Sequence, residues 1–374
     1  MHFIDILEFV IYMIAMLGIG FFFLKKNKDA EDYFVGGRSM GSVHVGLSVV
    51  ATDVGGGFSI GLGGLGFMMG ISGSWMLFSG LLGAWVSAVW LIPKVHKLAG
   101  IKKFYTFPQL LGHFYDNKVA VAAGIISAIG YIGFTSSQIL AGAKLAAASF
   151  VNLDMETALI IMGAIVVLYT ALGGIKAVIY TDTVQWIILM AGLIFIGLPV
   201  SYFALGGYSE IVKSVPAGFL SFSNVSWQTL VNWGITIVPI WFVGMTLYQR
   251  IYACSDEKTA KKAWFIAGLF EWPVMALMGV LLGMFGRVAA DQGLFQHLGY
   301  ASIAATDPEM GLPLLLRSIL PVGLMGLMMS AYFSAIMSTA DSCLMAASGN
   351  MATDILDYFF KIGTDEKRFL KISQ

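Results

Sequence analysis

Apolar runs of about 20 residues, each able to cross a hydrocarbon layer of roughly 30 Å as a helix, recur along the chain. They predict nine transmembrane helices, at residues 4–24, 42–70, 72–93, 119–149, 155–172, 177–204, 229–249, 258–288 and 321–353. A shorter apolar piece, 311–320, reads as a lid or re-entrant element. The second run differs from the others, because it carries Asp53 and then Gly55-Gly56-Gly57 at mid-span. An intramembrane charge costs about 2.5 kcal/mol or more, and each glycine about 1 kcal/mol relative to Ala inside a helix. A segment that accepts both is expected to be broken, with freed backbone carbonyls lining a polar cavity. Helix seven is interrupted again at Val238-Pro239 and Gly244, since Pro supplies no N–H to the ladder. Two interrupted spans five helices apart form the pattern expected of inverted repeats around one central site.

The remaining polar positions within spans are few. In Ala335-Ile336-Met337-Ser338-Thr339-Ala340-Asp341-Ser342, residues 335, 338, 339 and 342 share one helix face, and Asp341 is adjacent to Ser338 by the same rule. Such a stripe either bonds to its own backbone and to neighbouring helices or holds a hard cation, and the added carboxylate favours the cation. Asp53 either caps a half-helix or contacts a cation or solute, and the adjoining break favours contact. Asp182, near the inner end of helix six, is either solvated or a site residue. Glu271, beside Pro273, either pairs within the bundle or serves a proton or ion path. Lys144 is expected to snorkel to the outer interface.

Composition agrees with the periodicity. The 374 residues are 58% hydrophobic and 12% charged, against about 25% charged in soluble domains, so the chain is read as an integral membrane protein. The net charge is zero, but its distribution informs: with the N-terminus outside, 18 of the 22 basic residues fall on the cytoplasmic side. That bias predicts an N-out, C-in arrangement. The basic, aromatic stretch 94–118 faces anionic headgroups and implies no nucleic-acid role. Cys254 and Cys343 have neither metal nor disulfide spacing, and the five His are scattered. No phosphate loop or nucleophile elbow is present, which points away from an ATP-driven pump and from an enzyme, and no catalytic residue is assigned. The first helix has no basic leader region and reads as a retained span.

Several motifs resemble the sodium:solute symporter family. They are Asp32-Tyr33-Phe34-Val35-Gly36-Gly37-Arg38, Ala171-Leu172-Gly173-Gly174 through Tyr180-Thr181-Asp182-Thr183-Val184-Gln185, Tyr248-Gln249-Arg250, and Met337 to Ser342, standing in the family's order between about residues 32 and 354. The resemblance implies an all-α integral membrane protein of the leucine-transporter-type inverted-repeat fold. Residues 1–28 would be a leading extra helix, 42–204 the first repeat, 229–353 a partial second repeat whose last helices are missing, and 354–374 a cytoplasmic tail. It implies a Na+ site made by the carbonyls of Ala51, Val54 and Ala335 and the hydroxyls of Ser338 and Thr339. Some branches hold a second sodium, for which the matching positions are Asp182, Ser338, Asp341 and Ser342. The closest motif resemblance is to the choline- and proline-transporter branches. Asp53 stands where the choline branch has Trp, whereas the proline branch has Asp there. The implied activity is sodium-coupled symport of a small polar organic solute, amino-acid-like or another zwitterion or carboxylate, by alternating access in an inner cell membrane. Around the breaks, the candidate solute contacts are Asp53, Gly56, Phe58, Trp75, Phe134, Gln138, Trp241 and Phe242. A second reading is the transporter-like sensory membrane domain of a signalling protein, which a soluble domain beyond Gln374 would mark.

Overall fold

A chain in lipid has no water to take up its backbone N–H and C=O groups, so it must close those hydrogen bonds within helices. The computed structural model describes residues 2–24, 27–56, 61–149, 153–300, 303–364 and 366–373. It is 86% helical, with no strand among the described residues beyond an isolated bridge between Met40 and Cys254.

Helix α1 (Phe3–Leu24) turns Phe3, Ile11, Ile14 and Phe22 outward and buries Tyr12, Met13 and Met16. Helix α2 (Ala30–Val35) starts at Asp29, whose carboxylate accepts the Asp32 N–H at 2.7 Å, and stops at Gly36 with φ 62°. The predicted second span is two pieces, α3 (Ser42–Gly56) and α4 (Gly63–Met69). The chain leaves helical geometry at Gly55, with φ 38°. A Cβ at that position would lie 2.3 Å from Thr339 Oγ1, so the turn and the close approach both require glycine. Helices α5 (Trp75–Trp90), α6 (Ile92–Lys102) and α7 (Phe107–Phe114) follow, the last capped by Thr106 with Pro108 in its first turn. Then comes α8 (Asn117–Ser149).

The fifth and sixth expected spans, 155–172 and 177–204, are joined without a loop, in α9 (Met155–Gly192) and the short α10 (Leu198–Ala204). The turn is made at Gly174, at φ 64°, where a Cβ would press on the Tyr33 ring at 2.7 Å. After α11 (Gly207–Ser214), the seventh span is divided into α12 (Trp227–Ile237), α13 (Ile240–Val243) and α14 (Met245–Ala253), bent by 43° at Gly244. Helices α15 (Glu257–Leu269) and α16 (Ala276–Asp291) flank an irregular turn that holds Pro273. The apolar piece between helices eight and nine is the separate short helix α17 (Gly311–Ile319). Helix α18 (Leu324–Gly349) is followed by α19 (Asp357–Phe360) and α20 (Glu366–Ser373).

At the centre, α18 packs against α9, α8, α3 and α1. Its first turn is capped from another helix, because the Asp5 carboxylate of α1 accepts the N–H groups of Gly323 and Gly326 at 2.7 and 3.0 Å. Five stretches are long and apolar enough to cross a membrane, with the bent α12–α14 segment as a sixth. Among the described residues, the 155–172 and 321–353 segments are outside that set, and so is α3 of the second expected span, whose α4 instead joins the third in the stretch Gly63–Trp90. The first is short, and α18 carries its hydroxyl and carboxylate stripe inside the bundle, away from lipid.

Candidate functional site

The break in α3 lies against the polar stripe of α18. Interrupting the helix at Gly55 deprives the carbonyls of the last turn of their donors four residues on. Ser338 Oγ donates to the Ala51 carbonyl at 2.9 Å, and Thr339 Oγ1 donates to the Thr52 carbonyl at 2.6 Å and approaches that of Ala51 at 3.3 Å. Both hydroxyls also lie near the Ala335 carbonyl, at 3.0 and 3.5 Å. Val54 is buried in the same turn. The donor set is neutral oxygen from backbone and hydroxyl, which suits a hard, singly charged cation and offers nothing to a soft metal. On the other side of the break, the Gly56 N–H donates to Gln138 Oε1 of α8 at 2.7 Å, so Gly56 and Gln138 are brought together as a pair.

One helical turn along α3, a buried guanidinium occupies the place where sequence reading put only oxygens. Arg250, counted among the cytoplasmic basic residues, is in fact wholly buried. Its Nη2 lies 3.0 Å from Asp182 Oδ2, 2.7 Å from Thr52 Oγ1 and 2.6 Å from Ser342 Oγ. Its Nε donates to Ser48 Oγ at 2.8 Å, and its Nη1 to the Thr246 carbonyl at 3.1 Å. Ser48 in turn donates to Asp182, while Asp182 Oδ1 has no hydrogen-bond partner. Asp341 accepts from the Ser342 hydroxyl at 3.2 Å. Asp182, Asp341 and Ser342 therefore do share one network, with Arg250 supplying the positive charge. Packing against α14 excludes water there, so Asp182 is not the solvated interfacial group it could have been. Ser48 and Thr52 were missed, although their i, i+4 spacing already marked a polar face on α3.

A cavity of about 560 Å³ opens beside these elements, lined by residues of α3, α7, α8, α13, α14 and α18 that include Thr52, Asp53, Tyr131, Phe134, Thr246 and Cys343. Among the candidate solute contacts, Asp53 and Phe134 face it. Trp241 does not: its ring is buried against Gly83 and Trp264. Trp75 stacks on Trp272 and donates to the Phe222 carbonyl, between α11 and α12, at 2.8 Å, and Phe242 offers its carbonyl to Tyr248. These three rings pack helices rather than line the opening, as large aromatics beside glycines commonly do. Phe58 lies outside the described residues. Lys144 pairs with Glu309 at 3.9 Å across α8 and the approach to α17, an exposed contact of little energetic weight.

The chain belongs to the sodium:solute symporter family, whose profile matches residues 33–374. It is 29% identical to the high-affinity proline transporter PutP of Bacillus subtilis (strain 168), over 95% of this chain and 74% of that protein. Identity to the sodium/proline symporter of Escherichia coli (strain K12) is 26%, over 99% and 74%. For sodium/glucose cotransporter 1 of Ovis aries it is 28%, over 94% and 58%. The fold matches that of a Na+-coupled sialic acid symporter in a substrate-bound, outward-open state, with TM-score 0.84 at 23% identity, covering all of this chain and 79% of the other. All of these relatives are transporters. The family carries Na+ as the coupling ion and a small-molecule solute, in a multi-pass membrane protein.

Proposed function

From that membership we propose that the protein couples the inward sodium gradient to uptake of an amino-acid-like solute by alternating access. The observation that carries the reading is the crossing of α3 and α18, where Ser338 and Thr339 point at the freed Ala51 and Thr52 carbonyls. Sodium bound there is held by the carbonyls of Ala51, Val54 and Ala335 and by both hydroxyls, which turn their lone pairs from the carbonyls to the ion. The ion thereby ties the two helices together. It favours the state in which they are close, and that differential affinity is how a ligand shifts a conformational equilibrium.

A second sodium among Asp182, Ser338, Asp341 and Ser342 belongs to a state in which Arg250 has withdrawn. While Arg250 bonds Asp182 and Ser342, the charge of that pocket is already met. The cavity bordered by Asp53, Phe134 and the Gly56–Gln138 pair is the solute site. The positive-inside bias places the N-terminus outside and the C-terminus in the cytoplasm. In this reading residues 42–204 are the first repeat and 229–353 a partial second repeat, and the helix that opens each is interrupted.

The test is uptake into proteoliposomes across a sodium titration. The Ser338→Ala, Thr339→Ala double variant is expected to lose sodium-dependent uptake while inserting normally. Wild-type uptake that does not change with sodium overturns the proposal.

A further inference from the structure

The seam between α1 and α9 holds two adjoining cavities. The first, of about 550 Å³, lies where α1 ends and α2 begins, and its polar lining is Lys28, Asp32, Ser39 and Lys176. The second, of about 630 Å³, is lined by Ala15, Gly18 and Phe22 of α1 and by Thr183 and Val184 of α9. Phe23 and Tyr180 border both cavities. Their rings stack, with centroids 5.2 Å and planes 10° apart, and form a neck between the polar and the apolar space. Ala15 to Phe23 is about 12 Å of helix, so the second cavity reaches from the interface far into one leaflet. Gly18 is exposed on this face, and a Cβ there would meet nothing within 4 Å.

The polar cavity has charge to spare. Both Asp32 oxygens are occupied, one by the Lys176 ammonium and the other by the Lys28 backbone N–H. The neighbouring carboxylates of α2 do not line the cavity: Glu31 accepts from Arg38, and Asp29 from the Asp32 N–H. The Lys28 side chain is exposed, and among the described residues its ammonium enters no ion pair. With Asp32 and Lys176 cancelling, one positive charge remains at the mouth of an apolar groove.

Basic pockets between transmembrane helices on the cytoplasmic side take anionic headgroups, and aromatic rings favour the same interfacial level. A soluble anion uses only the polar cavity, and an uncharged lipid only the apolar one. A molecule with a negative head and a hydrocarbon tail fills both. We infer that a phospholipid of net negative charge occupies this seam, its phosphate on Lys28 and one acyl chain along Gly18. The lipid fastens α1 to α9 at the edge of the bundle, away from the α3–α18 crossing, and the inference holds whichever solute is carried.

The experiment measures thermal stabilisation of the delipidated protein in detergent by phosphatidylglycerol, by phosphatidylcholine with the same acyl chains, and by glycerol 3-phosphate. Phosphatidylglycerol is expected to act at a concentration about fivefold lower than phosphatidylcholine, the worth of one lysine near an anionic surface, and glycerol 3-phosphate to have no effect. Lys28→Gln should abolish the difference between the two lipids, while Lys28→Arg keeps it. Gly18→Phe, which fills the groove, should weaken both lipids at least fivefold, and Gly18→Ala, which leaves it open, should weaken neither. Equal action of the two lipids on the wild type overturns the inference, as does an unchanged response in Gly18→Phe. Glycerol 3-phosphate acting as well as phosphatidylglycerol overturns it in favour of a soluble anion. An equal loss in Lys97→Gln, an exposed lysine of α6, overturns it by assigning the preference to surface charge in general.

Discussion

Arg250 Nη2 and Asp182 Oδ2 lie 3.0 Å apart with both side chains fully buried, which ties α14 to α9 beneath the break in α3. Removing one partner of such a pair leaves an uncompensated charge inside the bundle. Arg250→Ala is expected to destabilise the protein by about 3–5 kcal/mol. Arg250→Ala with Asp182→Asn should cost less than the sum of the single changes, by roughly 0.5–3 kcal/mol. Unfolding of the four proteins in detergent measures the cycle, and additivity would show that the two groups are not coupled.

The same pair bears on stoichiometry. If a second sodium takes the place of the guanidinium during the cycle, Asp182→Asn lowers the Hill coefficient of sodium-dependent uptake toward one. An unaltered coefficient removes the second ion and leaves Asp182 as the partner of Arg250 alone.

Gly55 should tolerate no side chain. At φ 38° with Thr339 Oγ1 at 2.3 Å from a Cβ, Gly55→Ala both strains the backbone and pushes Thr339 of α18 away from the Ala51 carbonyl, separating the two halves of the proposed sodium site. A loss of more than about 1 kcal/mol in stability is expected, together with weaker sodium dependence. Gly234→Ala, in α12 with nothing within 4 Å of its Cβ, is the matched control and should change neither. Thermal unfolding and uptake read on both variants separate the two cases.

Outside the spans, Asp32 of α2 bonds Lys176 of α9. Burial opposes ionisation of the Asp32 carboxyl, but the Lys176 hydrogen bond, the Lys28 N–H and the charge of Lys176 outweigh it and hold its pKa below the ordinary carboxylate value. A carboxylate depressed in the folded state contributes stability that is present above its unfolded pKa, about 3.9, and is lost as pH falls through the folded value. The melting temperatures of wild type and Asp32→Asn are therefore expected to differ at pH 6 and to converge as pH falls below 4. A difference that persists unchanged to pH 3 would assign the effect to shape rather than charge.

How much of the site could be read in advance follows from the range of each signal. The Gly55-Gly56-Gly57 run beside Asp53, and the Ser338, Thr339, Asp341, Ser342 stripe, are local patterns. Composition and helical spacing expose them because lipid penalises every polar group that lacks a reason to be there. The meeting of Ala51 with Ser338 and Thr339, implied by the family motifs, is present in the structure. The role of Arg250 was not legible. At the end of an apolar run it looks like any cytoplasmic anchor, and only the packing of α14 under α3 carries it inward. Trp241 and Trp75 looked like cavity walls because they adjoin breaks, but Gly83 and Trp272 draw them into helix contacts.

Amphipathic spacing and hydrophobic length, which depend on neighbours within a few turns, were enough to establish a helical membrane protein, the second span's break and the oxygen-bearing stripe. Pairing of charges across the bundle depends on which helices touch, as the buried Asp182–Arg250 pair does on α9 and α14. In a medium where an unpaired charge is so costly, that choice of partners was made by packing, and no local pattern in the chain carries it.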